Sequence, residues 1–125
     1  MRITQYSGAV TTTGSAGSAS GSATINVEKW GYLEWVYLDF HASAPATTDT
    51  TIAHGGTPPG GNIMVKSNSA TDALFFPRAG AVDSSAAAIT NSAARIPVGG
   101  PITVSLAQCD ALTGAVTCYL GVADK

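Results

Sequence analysis

The stretch from Trp30 to Phe40 constrains this chain more than any other part of it. It reads as a β-strand, and along it the even positions Trp30, Tyr32, Val36, Leu38 and Phe40 and the odd positions Leu33, Trp35 and Tyr37 are all apolar or aromatic. Successive strand side chains point to opposite faces, so a strand with one wet face would alternate. Both faces of this one must therefore be covered. One cover is a hydrophobic core, and the other is a second sheet, an overlying loop or a neighbouring subunit.

The rest of the chain is punctuated for short strands. Arg2 to Thr13 predicts one or two polar strands, and Gly14 to Ser22 is a Gly/Ser/Ala tract too small and flexible to pack a core. Ala23 to Phe40 brings Ile25 and Val27 into the aromatic segment. His41 to Gly61 reads as a long loop holding one short strand, Thr51 to His54. Asn62 to Lys66 and Ala73 to Phe76 follow as strands, the second stopped by Pro77, which cannot donate to a ladder. Ala79 to Ala94 is Ala-rich but lacks periodic large apolar residues, which argues for a loop. Pro101 to Gln108 and Ala115 to Ala123 predict a hairpin around Leu112-Thr113-Gly114, with Ile102, Val104 and Leu106 alternating against Cys118, Leu120 and Val122. About eight short strands with almost no helix predict an all-β, single-domain β-sandwich of jelly-roll type with long Gly/Pro/Thr loops. Residues 1–22 are expected to form a polar flexible arm and residues 23–125 the body.

Composition limits what such a body does. Of 125 residues only 11% are charged, and about half are Ala, Thr, Gly or Ser. A free globular domain draws about a quarter of its residues from the charged types, so this surface is poorly protected against association. No two of its bases, Arg2, Lys29, Lys66, Arg78, Arg95 and Lys125, are neighbours, and the formal charge is −2. A nucleic-acid partner would require a basic stripe, and none is expected. No apolar run reaches membrane-spanning length and no export leader is read, so synthesis in a reducing cytoplasm is expected.

Each candidate for chemistry weakens on inspection. His41, Asp49 and His54 share one region without the spacing of a metal site, and exposed or capping roles are expected for them. No Ser lies in a Gly-x-Ser-x-Gly elbow, and the Gly14 to Ser22 tract lacks the ending of a phosphate loop. Glu28 and Glu34 sit six apart, and Glu34, which interrupts the apolar row, is expected to be buried against Lys29 or Arg78. No catalytic residue, cofactor or metal is assigned. Cys109 and Cys118 lie symmetrically about Thr113-Gly114, which in an even hairpin would set up a disulfide. The apolar alternation requires a one-residue shift that throws Cys109 to the opposite face unless a bulge intervenes near Gln108. Free buried thiols are expected, since synthesis is expected in a reducing compartment, with the Cys109–Cys118 disulfide as the alternative. Trp30, Tyr32, Trp35 and Tyr37 read as a subunit interface, with a carbohydrate platform as the competing use.

Taken together, the polar segment Met1 to Ser22, the all-β body, the low charge and loops such as Gly55-Gly56-Thr57-Pro58-Pro59-Gly60-Gly61 resemble the decoration, or cement, proteins of tailed-bacteriophage capsids. The resemblance implies a non-enzymatic virion protein on the outer capsid surface, made in the host cytoplasm, that stabilises the shell by bridging subunits of the major capsid protein. It implies a homo-oligomer, a trimer by preference, with Arg2, Thr4 and Tyr6 in a capsid-contacting arm. The alternative is a carbohydrate- or surface-binding β-sandwich module, including a phage fibre or tail component.

Overall fold

One strand organises the whole molecule. In the computed structural model, which describes residues 2–56, 60–80, 84–90 and 92–124, residues Ala19–Phe40 form a single strand of 22 residues, β2. Around it lie β1 (Ile3–Val10), β3 (Asp49–His54), β4 (Asn62–Lys66), β5 (Ala73–Phe75), β6 (Ile96–Cys109) and β7 (Val116–Asp124). The described residues form no helix, and all pairings between these strands are antiparallel, in one sheet ordered β1-β7-β2-β6-β3-β4 with β5 also on β2.

The length of β2 lets it serve different neighbours along its course. One edge takes β6 along Ala19 to Leu33 and then β5 along Val36 to Leu38. The other edge takes β7 along Gly31 to Phe40. The hairpin expected between β6 and β7 does not form: both strands exist where alternation placed them, but β2 lies between them. Their connection is held by the segment after β1. Buried Thr12 donates its hydroxyl to the Asp110 carbonyl at 2.6 Å and accepts from the Leu112 amide at 3.0 Å, while its own amide donates to the Leu112 carbonyl. Those bonds satisfy the connection's backbone without a partner strand, which is why a turn-like sequence here does not make a hairpin.

A flexible arm over residues 1–22 is likewise corrected. Eight consecutive register pairs, from Ile3↔Ala123 to Val10↔Val116, build β1 into the sheet. Thr13 bridges Ser20, and Ala19 is already buried at the start of β2, so the expected boundary at residue 22 falls inside a strand. Gly14 to Ser18 is a tight turn, with Gly14 and Gly17 at positive φ, the Gly17 amide donating to the Asp110 carboxylate and the Ser18 amide to the Ser15 carbonyl.

The double apolar pattern of Trp30 to Phe40 has a local cause. Pairing of β2 with β7 steps from Leu33↔Val122 to Trp35↔Gly121, so Glu34 is an extra residue and the alternation changes parity there. Gly31 and Leu33 before the bulge, and Val36, Leu38 and Phe40 after it, all face inward and are buried. Trp30, Tyr32, Trp35 and Tyr37 all face outward. The bulge thus sorts the aliphatics and Phe40 into the core and the Trp and Tyr rings onto the surface. The largest fully buried side chains are Leu, Ile and Val from β1, β2, β3, β6 and β7 and the residues around them, with no aromatic ring among them.

A second bulge settles the cysteines. Pairing of β2 with β6 steps from Gly21↔Leu106 to Ala19↔Cys109, with Gln108 at φ 52°. The bulge at Gln108 thus returns Cys109 to the buried side, where alternation alone would have put it on the opposite face, and Cys109 sits on the opposite edge of β2 from Cys118. Both are free thiols with no exposure, so the alternative disulfide is not formed.

Candidate functional site

Four strands converge on one outward face. Across β1, β7 and β2 the register aligns Gln5, Gly121 and Trp35 in one row, and Ser7, Tyr119 and Tyr37 in the next, which Leu74 of β5 extends. Alternation in each strand turns these side chains away from the core. The result is a shallow groove of about 480 Å³ lined by Gln5, Trp35, Tyr37, Asp39, Leu74 and Tyr119.

Two glycines let tryptophans lie flat on the sheet. A Cβ at Gly121 would fall within the Trp35 indole, so the ring is seated on bare backbone with its other face outward. The Trp30 indole covers Gly99 in the same way, further along β2, and remains 47% exposed. Tyr37 and Tyr119 stand side by side, ring centroids 6.2 Å apart and planes inclined at 47°. Leu74 and Phe76 add exposed apolar surface at 51% and 61%.

Behind this face the Glu34 bulge is clamped. Between Leu33, where β6 leaves β2, and Val36, where β5 joins it, neither strand supplies ladder bonds. The Arg78 guanidinium fills the gap, donating to the carbonyls of Leu33 at 3.4 Å, Glu34 at 3.2 Å and Pro77 at 2.7 Å. The Glu34 carboxylate accepts from Arg95 at 2.8 Å and pairs with Arg78 at 3.6 Å. Arg95 also lies over the Tyr32 ring, 4.5 Å from its centroid. Glu34 is thus paired with Arg78 as expected, and with Arg95 in place of Lys29.

The four expected interface residues divide. Trp35 and Tyr37 line the groove, Tyr32 is occupied by Arg95, and Trp30 stands apart over Gly99. Arg2, Thr4 and Tyr6 do come together, but in a charged hollow of about 250 Å³ with Glu28, Lys29 and Asp124. Thr4 and Tyr6 are half-buried on the inner side of β1, and Ile3 and Gln5 are the exposed ones. A freely reaching arm is therefore not what these residues form. Thr57, Pro58 and Pro59 of the long loop lie outside the described residues.

His41, Asp49 and His54 are not assembled, and the described residues contain no group of three or more His, Cys, Asp or Glu able to hold a metal. His41 Nδ1 accepts from the Ser43 amide, and Asp49 accepts from the Asn68 amide. The His54 imidazole is pushed below its ordinary pKa by burial. Gln5, Asp39, Leu74 and Tyr119 were not singled out from the sequence. Their signal was the alternation in their own strands, usable only once the pairing of β1, β7, β2 and β5 is known. Against family models, curated proteins and solved structures alike, the chain finds no match.

Proposed function

We propose that this protein is a non-enzymatic structural component of a virion, a decoration protein that stabilises a bacteriophage capsid by bridging subunits of the major capsid protein on its outer surface. The observation that carries this reading is the outward sorting of large apolar side chains on a chain with little charge. Trp30, Phe76 and Ile89, outside the groove, are each about half exposed or more, a surface that association would cover. Its edge strand β1 adds to this, since Ile3 to Val10 contains no charge and no proline to discourage pairing. The finer architecture belongs to the same proposal: the sheet folds over along β2 into a sandwich. Support comes from Gly8 of β1, whose missing side chain makes room for Ile25 in the N-terminal half of β2.

A homotrimer is the assembly proposed, since closed symmetry satisfies a sticky surface without polymerising it. Native mass spectrometry tests this directly, together with co-sedimentation of the protein with purified tailed-phage capsids stripped of their own decoration proteins. A trimer in solution or on capsids, lost in Trp30→Asp and Phe76→Asp variants of unchanged melting temperature, is the expected result. A chain that stays monomeric and never co-sediments overturns the reading.

A further inference from the structure

The groove on the outward face has a chemistry of its own, independent of the virion reading. We propose that it binds a neutral oligosaccharide of two or three sugar units. Its floor is aromatic: the free face of Trp35, seated on Gly121, and the inclined pair Tyr37 and Tyr119. Its rim carries five polar handles, the Gln5 amide, the Trp35 indole N–H, the two tyrosine hydroxyls and the Asp39 carboxylate. None of the five is engaged in a hydrogen bond or ion pair within the described residues, so all are free for a ligand.

That combination selects among ligand classes. An apolar ligand or an apolar patch of another protein would bury the Asp39 charge and the other handles without partners, at a cost of about 1–3 kcal/mol for each unpaired group and more for the charge. An acidic ligand would meet Asp39, the only charged residue among the described ones lining the groove. A sugar presents a flat apolar C–H face for the rings and a perimeter of hydroxyls that donate to Asp39 and accept from Trp35, Gln5 and the tyrosines. The volume of about 480 Å³ lies within the usual range for ligand sites, about 300–1,000 Å³. Trp30 has a similar seat on Gly99 but is not among the groove's lining residues, so it serves as the internal control.

The chain has two tryptophans, so a Trp30→Phe variant leaves Trp35 as the sole reporter. Titrating that variant with neutral gluco-, galacto-, manno- and N-acetylglucosamine oligosaccharides, in both anomeric linkages, is expected to shift Trp35 fluorescence saturably for at least one series. Calorimetry on the full chain should then show at least about a tenfold loss of affinity, about 1.4 kcal/mol, in Trp35→Ala, Trp35→Phe and Tyr119→Ala. Asp39→Asn should weaken binding several-fold, and Gly121→Ala should weaken it by displacing the indole. Trp30→Phe should bind as the parent does. The inference is overturned if no series binds, if binding survives Trp35→Ala, or if Trp35 becomes buried with rising protein concentration in the absence of sugar, which would give the groove to a second copy.

Discussion

At the scale of single residues, the side chain that matters most to this architecture is Arg78. Where β6 ends and β5 has not begun, the carbonyls of Leu33 and Glu34 face its guanidinium in place of a strand. Truncation removes those donors at a partly buried site. Arg78→Ala should therefore cost about 1–3 kcal/mol in chemical denaturation. Arg95, nearly half exposed, bonded to the Glu34 carboxylate and lying over the Tyr32 ring, should cost less, about 0.2–1 kcal/mol for the ion pair and about 0.5–1 for the ring contact. Equal losses would mean that the ion pairs, and not the bridged carbonyls, hold the bulge. Thr50 is the opposite case: its hydroxyl is fully buried in β3 with no partner among the described residues. Thr50→Val keeps the shape and discards the stranded group, and should raise stability by about 1 kcal/mol. A destabilised variant would show that the hydroxyl is satisfied. The Glu34–Arg78 pairing was legible in the sequence because a lone carboxylate in an apolar strand needs a cation. Arg95 was not, because only the fold brings the ends of the loop from Arg78 to Arg95 to the same bulge.

At the scale of elements, the sequence marks strands better than it marks their partners. Ile102, Val104 and Leu106 and then Cys118, Leu120 and Val122 do alternate, and both segments are strands. The hairpin inferred from them fails because alternation reports which face is buried and says nothing of the neighbouring strand. The aromatic segment shows the same limit. Its two apolar faces predict cover on both sides, but a bulge at Glu34 is invisible to a count of period two, and it turns the Trp and Tyr rings outward, with Trp30 47% exposed. The polarity of β1 hides its inner row, Thr4, Tyr6, Gly8 and Val10, in which Tyr6 and Val10 pack on the core and Gly8 lets the strand lie close against Ile25 of β2. This makes a sharp prediction. Deleting Met1 to Val10 removes the partner of β7 along eight register pairs and uncovers Val116, Cys118, Leu120 and Val122. The shortened chain should lose its cooperative thermal transition. A truncated protein that still melts cooperatively near the parent temperature would restore the view of this segment as an appended arm.

At the scale of the whole molecule, a half-buried imidazole and a buried thiol set limits on stability from opposite sides. Burial lowers the His54 pKa from its ordinary 6.5. In acid the unfolded chain therefore takes up that proton more readily than the folded one, and stability falls as pH drops through about 6.5. Burial pushes the Cys118 thiol from its ordinary 9.0 up to about 12. In alkali the unfolded chain releases that proton while the folded chain keeps it, so stability falls as pH rises past about 9. Denaturation midpoints should accordingly form a plateau from about pH 7 to 8.5, with His54→Gln flattening the acid limb and Cys118→Ala the alkaline one. The same burial makes the thiols a probe of cooperativity, because Cys109 and Cys118 lie on opposite edges of β2 within one core. If that core opens as a unit, both thiols should be alkylated at one common rate that rises with denaturant along the global unfolding slope. A faster Cys109 would instead mean that β6 parts from β2 while β7 stays paired, and the long strand would then join two separately opening halves.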